Sequence, residues 1–420
     1  MSLWRNSNFG NILLANAVSS VGDGFHTIAA MWWVKVHTGS DGLVAGVALA
    51  KGLTTVLLAP FAGALVDRYD RRLVMLWSNL ARALVVAALG ALALTDRLEP
   101  SVLIVASAAL AAFDTLFGPA FIASIPNIVG LDQLAPANSS LQIAGTLASI
   151  AGPAMGGIAV ATIGSGGAFF VDALSFALAA LLILASRIPS PVRTGAATRS
   201  SLLADVADGW RWLREQRLIF GIMLVALGLN FLAAPLQVLL PGYAKDVLLT
   251  DARGFGLIES GLPTGFLVGA LLLGVLKPKA VGVMMVTCMS AFGLLVVGLG
   301  LSRVLPLSLG LLVGMGAMLA LINISLSVLF QSRIPNEMQG RINGVMQTLA
   351  GGLQPLGFSL APLLIIVLGG IPDVMIVLGA LVSVAGLSFL VLPGFLGLRA
   401  PTATSSLETK PALEHPARGI

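Results

Sequence analysis

Residues 43–95 read LVAGVALAKGLTTVLLAPFAGALV, then DRYDRR, then LVMLWSNLARALVVAALGALALT. Two long apolar stretches therefore flank a short turn in which most residues are charged. A helix needs roughly 20 mainly apolar residues to cross a hydrocarbon core about 30 Å thick. Each stretch predicts one membrane-spanning helix, and the pair predicts a helical hairpin whose charged turn lies at a membrane face.

The same pattern fills the chain. Of its 420 residues, 57% are hydrophobic and only 10% are charged, which is too few charges to solvate a soluble domain of this size. Twelve stretches are long and apolar enough to cross a bilayer, and we number them spans 1 to 12: 9–36, 43–66, 73–95, 101–125, 138–163, 167–185, 218–242, 255–276, 280–301, 305–331, 342–368 and 374–396. The sequence predicts an all-α polytopic membrane protein with twelve transmembrane helices.

Lysines and arginines predict the orientation, because cytoplasmic loops carry an excess of them. With the N-terminus inside, one face holds 17 of these residues and the other holds 5, while Lys51 and Arg82 lie inside spans. Both termini are therefore expected in the cytoplasm, with the chain in the cell (inner) membrane. The net charge of +5 then reflects this topology, and no nucleic-acid partner is expected.

The longest polar interruption, residues 186–217, follows span 6 and divides the chain. It predicts an N-terminal half, 1–185, and a C-terminal half, 218–396, joined by a cytoplasmic linker. The linker is either flexible or, over 202–213, an amphipathic helix on the membrane surface. Residues 397–420 are polar and predict a disordered cytoplasmic tail.

An internal repeat supports two related halves. A shift of 205 residues places three residues in or directly after span 5 on identical residues in or directly after span 11: Asn138 on Asn343, Gln142 on Gln347 and Gly164 on Gly369. Many secondary transporters consist of such repeats, with the substrate site near the middle of the membrane between them.

The turn after span 2 reads Gly63-Ala-Leu-Val-Asp67-Arg68-Tyr-Asp-Arg71-Arg72. It resembles the G-x-x-x-D-R-x-G-R-[KR] signature of the major facilitator superfamily, with an aspartate in place of the second glycine. The resemblance implies that these residues latch the two halves on the cytoplasmic side while the site faces outward. Gly63 would allow close helix approach, and Asp67 would meet a helix N-terminus or an arginine. A positively charged loop with incidental acids is the alternative.

Span 5 carries Gly145 and then Gly152-Pro153-Ala-Met-Gly156-Gly157, which resembles the G-P-x-x-G-G motif of exporters and antiporters. Gly152 and Gly156 present a small face on which helices can touch, and Pro153 loosens the local hydrogen bonding. Simple helix packing is the alternative function of this segment.

Further segments narrow the resemblance to the macrolide-efflux and enterobactin-exporter branch: residues 3–6, 22–24, 136–138, 171–176 and 334–341. The resemblance covers nearly the whole chain. It implies the major facilitator fold, in which two six-helix halves are related by pseudo-symmetry.

Ionisable residues inside the bilayer are costly and are functional candidates by default. Asn16, Ser19, Asp23 and His26 recur every three or four residues, which places them on one face of span 1. We predict that this polar stripe contributes to proton coupling or to the substrate cavity. Alternatively, Asp23 stabilises a glycine-flanked kink and His26 is a structural histidine.

Spans 3 and 4 form a tight hairpin in which Arg82 and Asp114 lie 16 residues either side of the turn. The equal spacing predicts a buried ion pair at one depth, since removal of either partner would leave an unpaired charge. Whether Asp114 also titrates during transport stays open. Lys51 and Glu259 are expected to reach toward the external interface, and Asp172 is expected to stabilise the start of span 6.

The sequence contains no phosphate-binding loop and no histidine or cysteine cluster with metal spacing. No cofactor or metal is therefore expected. We predict a secondary active transporter: a proton-coupled exporter, or antiporter, of a bulky amphiphile such as a macrolide, another drug or a siderophore, in which Asp23 binds the proton. The alternatives are a lipid or lysophospholipid transporter and, less favoured, a membrane enzyme or sensor. The expected partners are the substrate, protons and the lipid bilayer, with the protein a monomer.

Overall fold

The structure is a computed structural model that describes residues 3, 6–66, 68–189, 210–211, 213–276, 280–334, 336–391 and 394–398. Spans 1 to 4 are the helices Ser7–Thr38, Asp41–Val66, Arg71–Leu94 and Pro100–Val129. Spans 5 and 6 share one hydrogen-bonded run, Leu134–Ala185. Spans 7 to 12 are the helices Arg217–Gly242, Ala252–Leu276, Val281–Leu301, Leu305–Arg333, Asn336–Leu368 and Ile371–Leu387.

Three short helices connect or extend the spans. A 3-10 turn, Leu131–Gln133, precedes span 5, and another, Ser388–Val391, follows span 12. A π-helical turn, Tyr243–Val247, continues span 7.

In the described part of the chain, ten segments are long and apolar enough to cross a membrane. One of them, Leu131–Ala185, has 55 residues and makes two crossings, because the helix breaks at Gly164. Ser7–Thr38 has the length to cross, with 32 residues, but polar side chains such as Asp23 lower its hydropathy. These segments together account for the twelve predicted spans.

The glycines of the internal repeat adopt matching conformations. Gly164 ends span 5 with φ 72°, and Gly369 ends span 11 with φ 94°. Both values lie in the left-handed region, which glycine enters without the steric penalty of a Cβ. The two turns are therefore equivalent in the two halves, whereas the side chains of Asn343 and Gln347 lie outside the described part.

Spans 1–6 pack on one another, with spans 1 and 3 against the run that forms spans 5 and 6, and span 2 against span 4. Spans 7–12 repeat this arrangement, with span 9 against 12, span 8 against 10 and span 7 against 11. The two halves meet chiefly where span 5 contacts span 8 and where span 2 contacts span 11. The boundaries of the halves at 185 and 218 stay a prediction, since most of the linker and the tail from 399 onward lie outside the described residues.

The glycines of span 5 bring three helices into backbone contact. A Cβ at Gly152 would lie 2.8 Å from the Val21 carbonyl oxygen, and one at Gly156 would lie 2.9 Å from the Phe25 Cα, both in span 1. A Cβ at Gly157 would lie 3.0 Å from the Cα of Gly256 in span 8. Span 5 therefore holds span 1 within its own half and span 8 of the other half.

Two further contacts join the halves. The Ser260 hydroxyl of span 8 donates a hydrogen bond to the Ile150 carbonyl of span 5 at 2.8 Å. A Cβ at Gly52 of span 2 would lie 3.1 Å from the Pro355 ring of span 11. The exporter-like glycine and proline motif thus belongs to the interface between the halves, where the backbones lie close enough for polar contacts.

A buried lysine links the halves at the face that contains the turns after spans 1 and 7, the predicted external face. The Lys35 ammonium lies 2.6 Å from Asp41 Oδ1 and 2.7 Å from Asp246 Oδ2, and its side chain is only 2% exposed. The Lys245 ammonium donates to the Lys35 carbonyl at 3.0 Å. Because Asp246 and Lys245 belong to the other half, these contacts hold the halves together at this face.

Substitution of Gly152 or Gly157 by alanine should lower the thermal midpoint of the purified protein by several degrees. Overpacking costs about 1–3 kcal/mol, whereas alanine in a helix gains up to about 1 kcal/mol over glycine where space permits. The matched control is Gly145→Ala in the same helix, because a Cβ at Gly145 meets no atom within 4 Å. The midpoint of the control should stay level or rise. Equal decreases in all three variants would contradict close packing at Gly152 and Gly157.

Asp246→Asn should loosen the predicted external face. Loss of a partly exposed ion pair costs about 1 kcal/mol at most, which makes opening of this face severalfold more frequent. In a Cys288→Ala background, a cysteine at Ala30 should then react severalfold faster with an external, membrane-impermeant maleimide. Asp251→Asn is the control, since an asparagine still caps span 8. Labelling at the parental rate in Asp246→Asn would show that Lys35 does not hold this face closed.

Candidate functional site

A cavity of about 390 Å³ lies between the halves, with walls from spans 1, 2, 3, 4, 6, 7, 8 and 11. Apolar residues such as Met31, Leu110 and Phe358 line much of it. Its ionisable lining residues are Asp23, His26, Lys51, Arg82, Asp114, Asp172 and Glu259. The volume falls in the range of about 300–1,000 Å³ typical of small-molecule sites. The N-terminal half supplies every ionisable group in this lining except Glu259.

Arg82 is the centre of a charge cluster. Its guanidinium lies 2.5 Å from Asp23 Oδ1 and 3.6 Å from Asp114 Oδ1. The same group stacks over the Phe176 ring, 4.0 Å from the centroid. The Arg82 side chain is 4% exposed, whereas Asp23 and Asp114 are 47% and 55% exposed toward the cavity. One buried cation therefore neutralises two accessible carboxylates.

The helical hairpin correctly indicated that Arg82 and Asp114 lie at one depth, but the nearer partner of Arg82 is Asp23. Span 1 is not adjacent to span 3 along the chain, so counting from the turn could not reveal this contact. The polar stripe of span 1 was the available signal. The arrangement joins two predicted features, the stripe and the ion pair, into one cluster.

His26 and Asp172 form a second pair beside the cluster. His26 Nδ1 lies 3.9 Å from Asp172 Oδ2, and within the described residues neither atom has a hydrogen-bond partner. The Ser175 hydroxyl donates to the other carboxylate oxygen of Asp172 at 3.3 Å. Span 1 approaches this carboxylate closely because Gly22 has no side chain. Asp172 thus lines the cavity, and the predicted role at the start of span 6 stays a prediction.

Two other members of the predicted stripe lie outside the cavity lining. Asn16 is half-buried, and its carbonyl accepts a hydrogen bond from the Ser19 hydroxyl at 3.1 Å. The stripe therefore contributes Asp23 and His26 to the cavity lining. Its other two members, Asn16 and Ser19, form a hydrogen bond within span 1.

Lys51 and Glu259 both line the central cavity, so the expectation that they reach toward the external interface was wrong. They stand on opposite walls, in spans 2 and 8. Gln237 and Gln354 also line the C-terminal wall. The interior of the cavity offers a better solvated position to these side chains than the surrounding lipid.

Two arginines of the predicted cytoplasmic latch bind carbonyls of their own half in this structure. Arg71 Nη1 donates to the Ala123 carbonyl at 2.6 Å, and Arg72 donates to the carbonyls of Ile183 and Leu184. Both arginines therefore bind the ends of spans 4 and 6 in their own half. Ile183 and Leu184 lie in the last turn of span 6, where carbonyl groups can accept from side chains, and Ala123 lies in the last two turns of span 4.

Other described residues of the turn include Gly63, Arg68 and Asp70. A Cβ at Gly63 would meet nothing within 4 Å, so this glycine does not mark a close helix contact. Asp70 starts span 3 by accepting the backbone N–H groups of Arg72 and Leu73 at 2.9 and 3.2 Å. Arg68 is exposed, and Asp67 lies outside the described residues.

Metal binding has no support in the described ranges, where no group of three or more histidine, cysteine, aspartate or glutamate residues could hold an ion.

A family model for transmembrane secretion effectors matches residues 1–411. The chain belongs to this family of the major facilitator superfamily. The protein is therefore a multi-pass membrane transporter and not an enzyme.

Curated relatives of this secretion effector are efflux proteins. The multidrug efflux pump Tap of Mycobacterium tuberculosis is 30% identical over 380 residues, covering 85% of this chain and 87% of its own. The enterobactin exporter EntS of Shigella boydii is 30% identical over 343 residues, covering 80% of each. A crystal structure of the nucleoside transporter NupG has the same fold, with a TM-score of 0.72 at 14% identity over 93% of this chain and 99% of its own.

Arg82→Ala should reduce the yield of folded secretion effector severalfold, because it leaves two carboxylates without their cation, at a cost of about 3–5 kcal/mol for a buried pair. Addition of Asp23→Asn and Asp114→Asn should restore most of the yield, measured by size-exclusion chromatography. The exposed Arg97→Ala is the control. Independent, additive losses in the combined variant would show that the three residues do not interact.

Proposed function

We propose that this transporter is a proton-coupled exporter that exchanges protons for a bulky amphiphilic small molecule, such as a macrolide, another drug or a siderophore. The names of the relatives support export, since they describe a multidrug efflux pump and an enterobactin exporter. The proposal includes a monomer with both termini in the cytoplasm, in agreement with the distribution of lysine and arginine.

The main support for the proposal is the Arg82 cluster. Two carboxylates, Asp23 and Asp114, share one guanidinium at 2.5 and 3.6 Å. When both are ionised, the cluster has one excess negative charge in a medium of low dielectric constant. A single proton removes that excess, because like charges around one cation disfavour each other. The cluster is thus suited to alternate between a proton and a polar group of the substrate.

Asp23 is the proposed proton carrier within the cluster. Nearly half of its side chain is exposed to the cavity, so a proton can reach it from water. Protonation weakens its contact with Arg82 and leaves the arginine to Asp114. Gly24, the next residue, packs on Gly152, where a Cβ would lie 2.5 Å from the Gly152 carbonyl carbon. A movement of span 1 at Asp23 is therefore transmitted through this contact to span 5, which also contacts the other half.

Alternating access then follows from the contacts between the halves. Lys35 and Asp246 hold the predicted external face closed, and they separate when the cavity opens to that side. We propose that Asp67 holds the opposite face closed in that state. We assign this role to Asp67 and not to Arg71 or Arg72, because the two arginines bind carbonyls of their own half. A loss of about 1.4 kcal/mol at either face shifts the equilibrium about tenfold.

Asp23→Asn should abolish accumulation driven by a pH gradient and keep exchange of substrate for substrate, because an amide retains the shape but binds no proton. The measurement uses proteoliposomes loaded in turn with erythromycin, enterobactin and lysophosphatidylcholine. The exposed Asp96→Asn is the matched control, since asparagine tolerates the positive φ of 54° at that turn.

Three outcomes would contradict parts of this proposal. Gradient-driven accumulation at the parental rate in Asp23→Asn would remove Asp23 from coupling. Loss of coupling in Asp172→Asn alone would assign the proton to the pair of Asp172 and His26. Movement of lysophosphatidylcholine alone, without need of a gradient, would instead identify a lipid transporter.

A further inference from the structure

We infer that Glu259 forms a subsite for organic cations on the C-terminal wall of the cavity, and that the molecules exported include lipophilic cations. The inference rests on the proposed export function and adds to it the charge of the substrate. It assigns a role to one of the two ionisable lining residues, Lys51 and Glu259, that the Arg82 cluster and the His26–Asp172 pair leave unused.

The backbone around Glu259 is fixed by the contact between the halves. Ser260, the next residue, donates to the Ile150 carbonyl of span 5 at 2.8 Å. Gly256, one turn earlier, packs against Gly157 of span 5. Consecutive residues of a helix point about 100° apart, so span 8 can bind span 5 through Ser260 while Glu259 faces the cavity that it lines.

The charges of the two walls are balanced differently. On the N-terminal wall Asp23 and Asp114 face Arg82, and Asp172 faces His26. For the Glu259 side chain, the described residues provide neither a hydrogen bond nor an ion pair. Among the residues that the structure describes, the lining contributed by spans 7, 8 and 11 contains no lysine or arginine. A carboxylate in such surroundings requires a positive partner or a proton, and a cationic substrate brings that partner.

The neighbours of Glu259 suit a cation with an apolar body. Gln237 and Gln354 line the same wall and offer amide oxygens to N–H groups or polarised C–H groups. Phe358 offers a ring face, which attracts cations and also covers apolar groups. On the opposite wall the carboxylates outnumber the two cations, Arg82 and Lys51, so this wall has no excess of positive charge to repel a cation. The site thus recognises charge together with apolar bulk.

Three probes of similar bulk separate charge from shape: tetraphenylphosphonium, tetraphenylborate and neutral triphenylphosphine oxide. Binding to the purified full-length transporter in detergent is measured by isothermal titration calorimetry. The wild type should bind the phosphonium at least about tenfold more tightly than the borate, a difference of about 1.4 kcal/mol or more. Glu259→Gln should weaken phosphonium binding by a similar factor and change the affinity for the phosphine oxide less than about twofold.

Two variants control for packing and for surface charge. Glu259→Asp keeps the carboxylate and should retain much of the preference for the phosphonium. Glu99→Gln removes an exposed carboxylate at the turn between spans 3 and 4 and should leave all three affinities unchanged. The thermal midpoint of each variant shows whether it is folded.

The inference is overturned if Glu259→Gln binds the phosphonium as the wild type does, or if it loses affinity for all three probes equally. It is also overturned if Glu259→Gln unfolds and Lys51→Gln restores its stability, because Glu259 would then be an internal partner of Lys51. Binding is measured without a gradient. Failure of the proposed proton coupling would therefore appear in the proteoliposomes and not in these affinities.

Discussion

The Arg82 guanidinium sets the arrangement of the N-terminal half. A charge inside hydrocarbon must have partners, and this side chain is 4% exposed. Its partners come from three other helices: Asp23 of span 1, Asp114 of span 4 and the Phe176 ring of span 6. Four helices therefore converge on one cation, and the cavity lies where their carboxylates remain accessible.

Span 5 connects this cluster with the rest of the molecule. Its glycines bring the backbone of span 1 close at Val21 and Phe25, on either side of Asp23. The same helix meets span 8 at Gly256, one turn before Glu259. Span 5 therefore contacts span 1 next to Asp23 and span 8 next to Glu259, so a single helix adjoins the charged groups of both cavity walls. Small residues are suited to this position, since helices in lipid associate through close packing and not through hydrophobic burial.

Local patterns in the sequence predicted those features that depend on local geometry. Apolar length predicted the spans, and equal counting from the turn between spans 3 and 4 placed Arg82 level with Asp114. The 205-residue shift matched Gly164 with Gly369, both of which have positive φ. Each of these inferences requires only one helix, one hairpin or one repeat.

Contacts between distant helices were beyond such reasoning. The approach of Asp23 to Arg82 depends on how spans 1 and 3 both pack against the run of spans 5 and 6, which no spacing along the chain encodes. The arginines after span 2 illustrate a second limit, because a motif gives the residue types without the partners. Arg71 and Arg72 bind carbonyls near the ends of spans 4 and 6, in their own half, and the motif itself does not specify these partners.

Lys35 has a consequence for the direction of transport. It contacts Asp41 of its own half as well as Asp246 of the other, so separation of the halves breaks one ion pair and leaves the ammonium neutralised by the second. Separation of the halves therefore leaves no buried lysine charge unpaired and costs only one partly exposed ion pair. In the exchange that we propose, a carrier whose closed face is held so weakly can run in either direction. The gradients of protons and cargo, and not the protein, then decide which way the cargo moves.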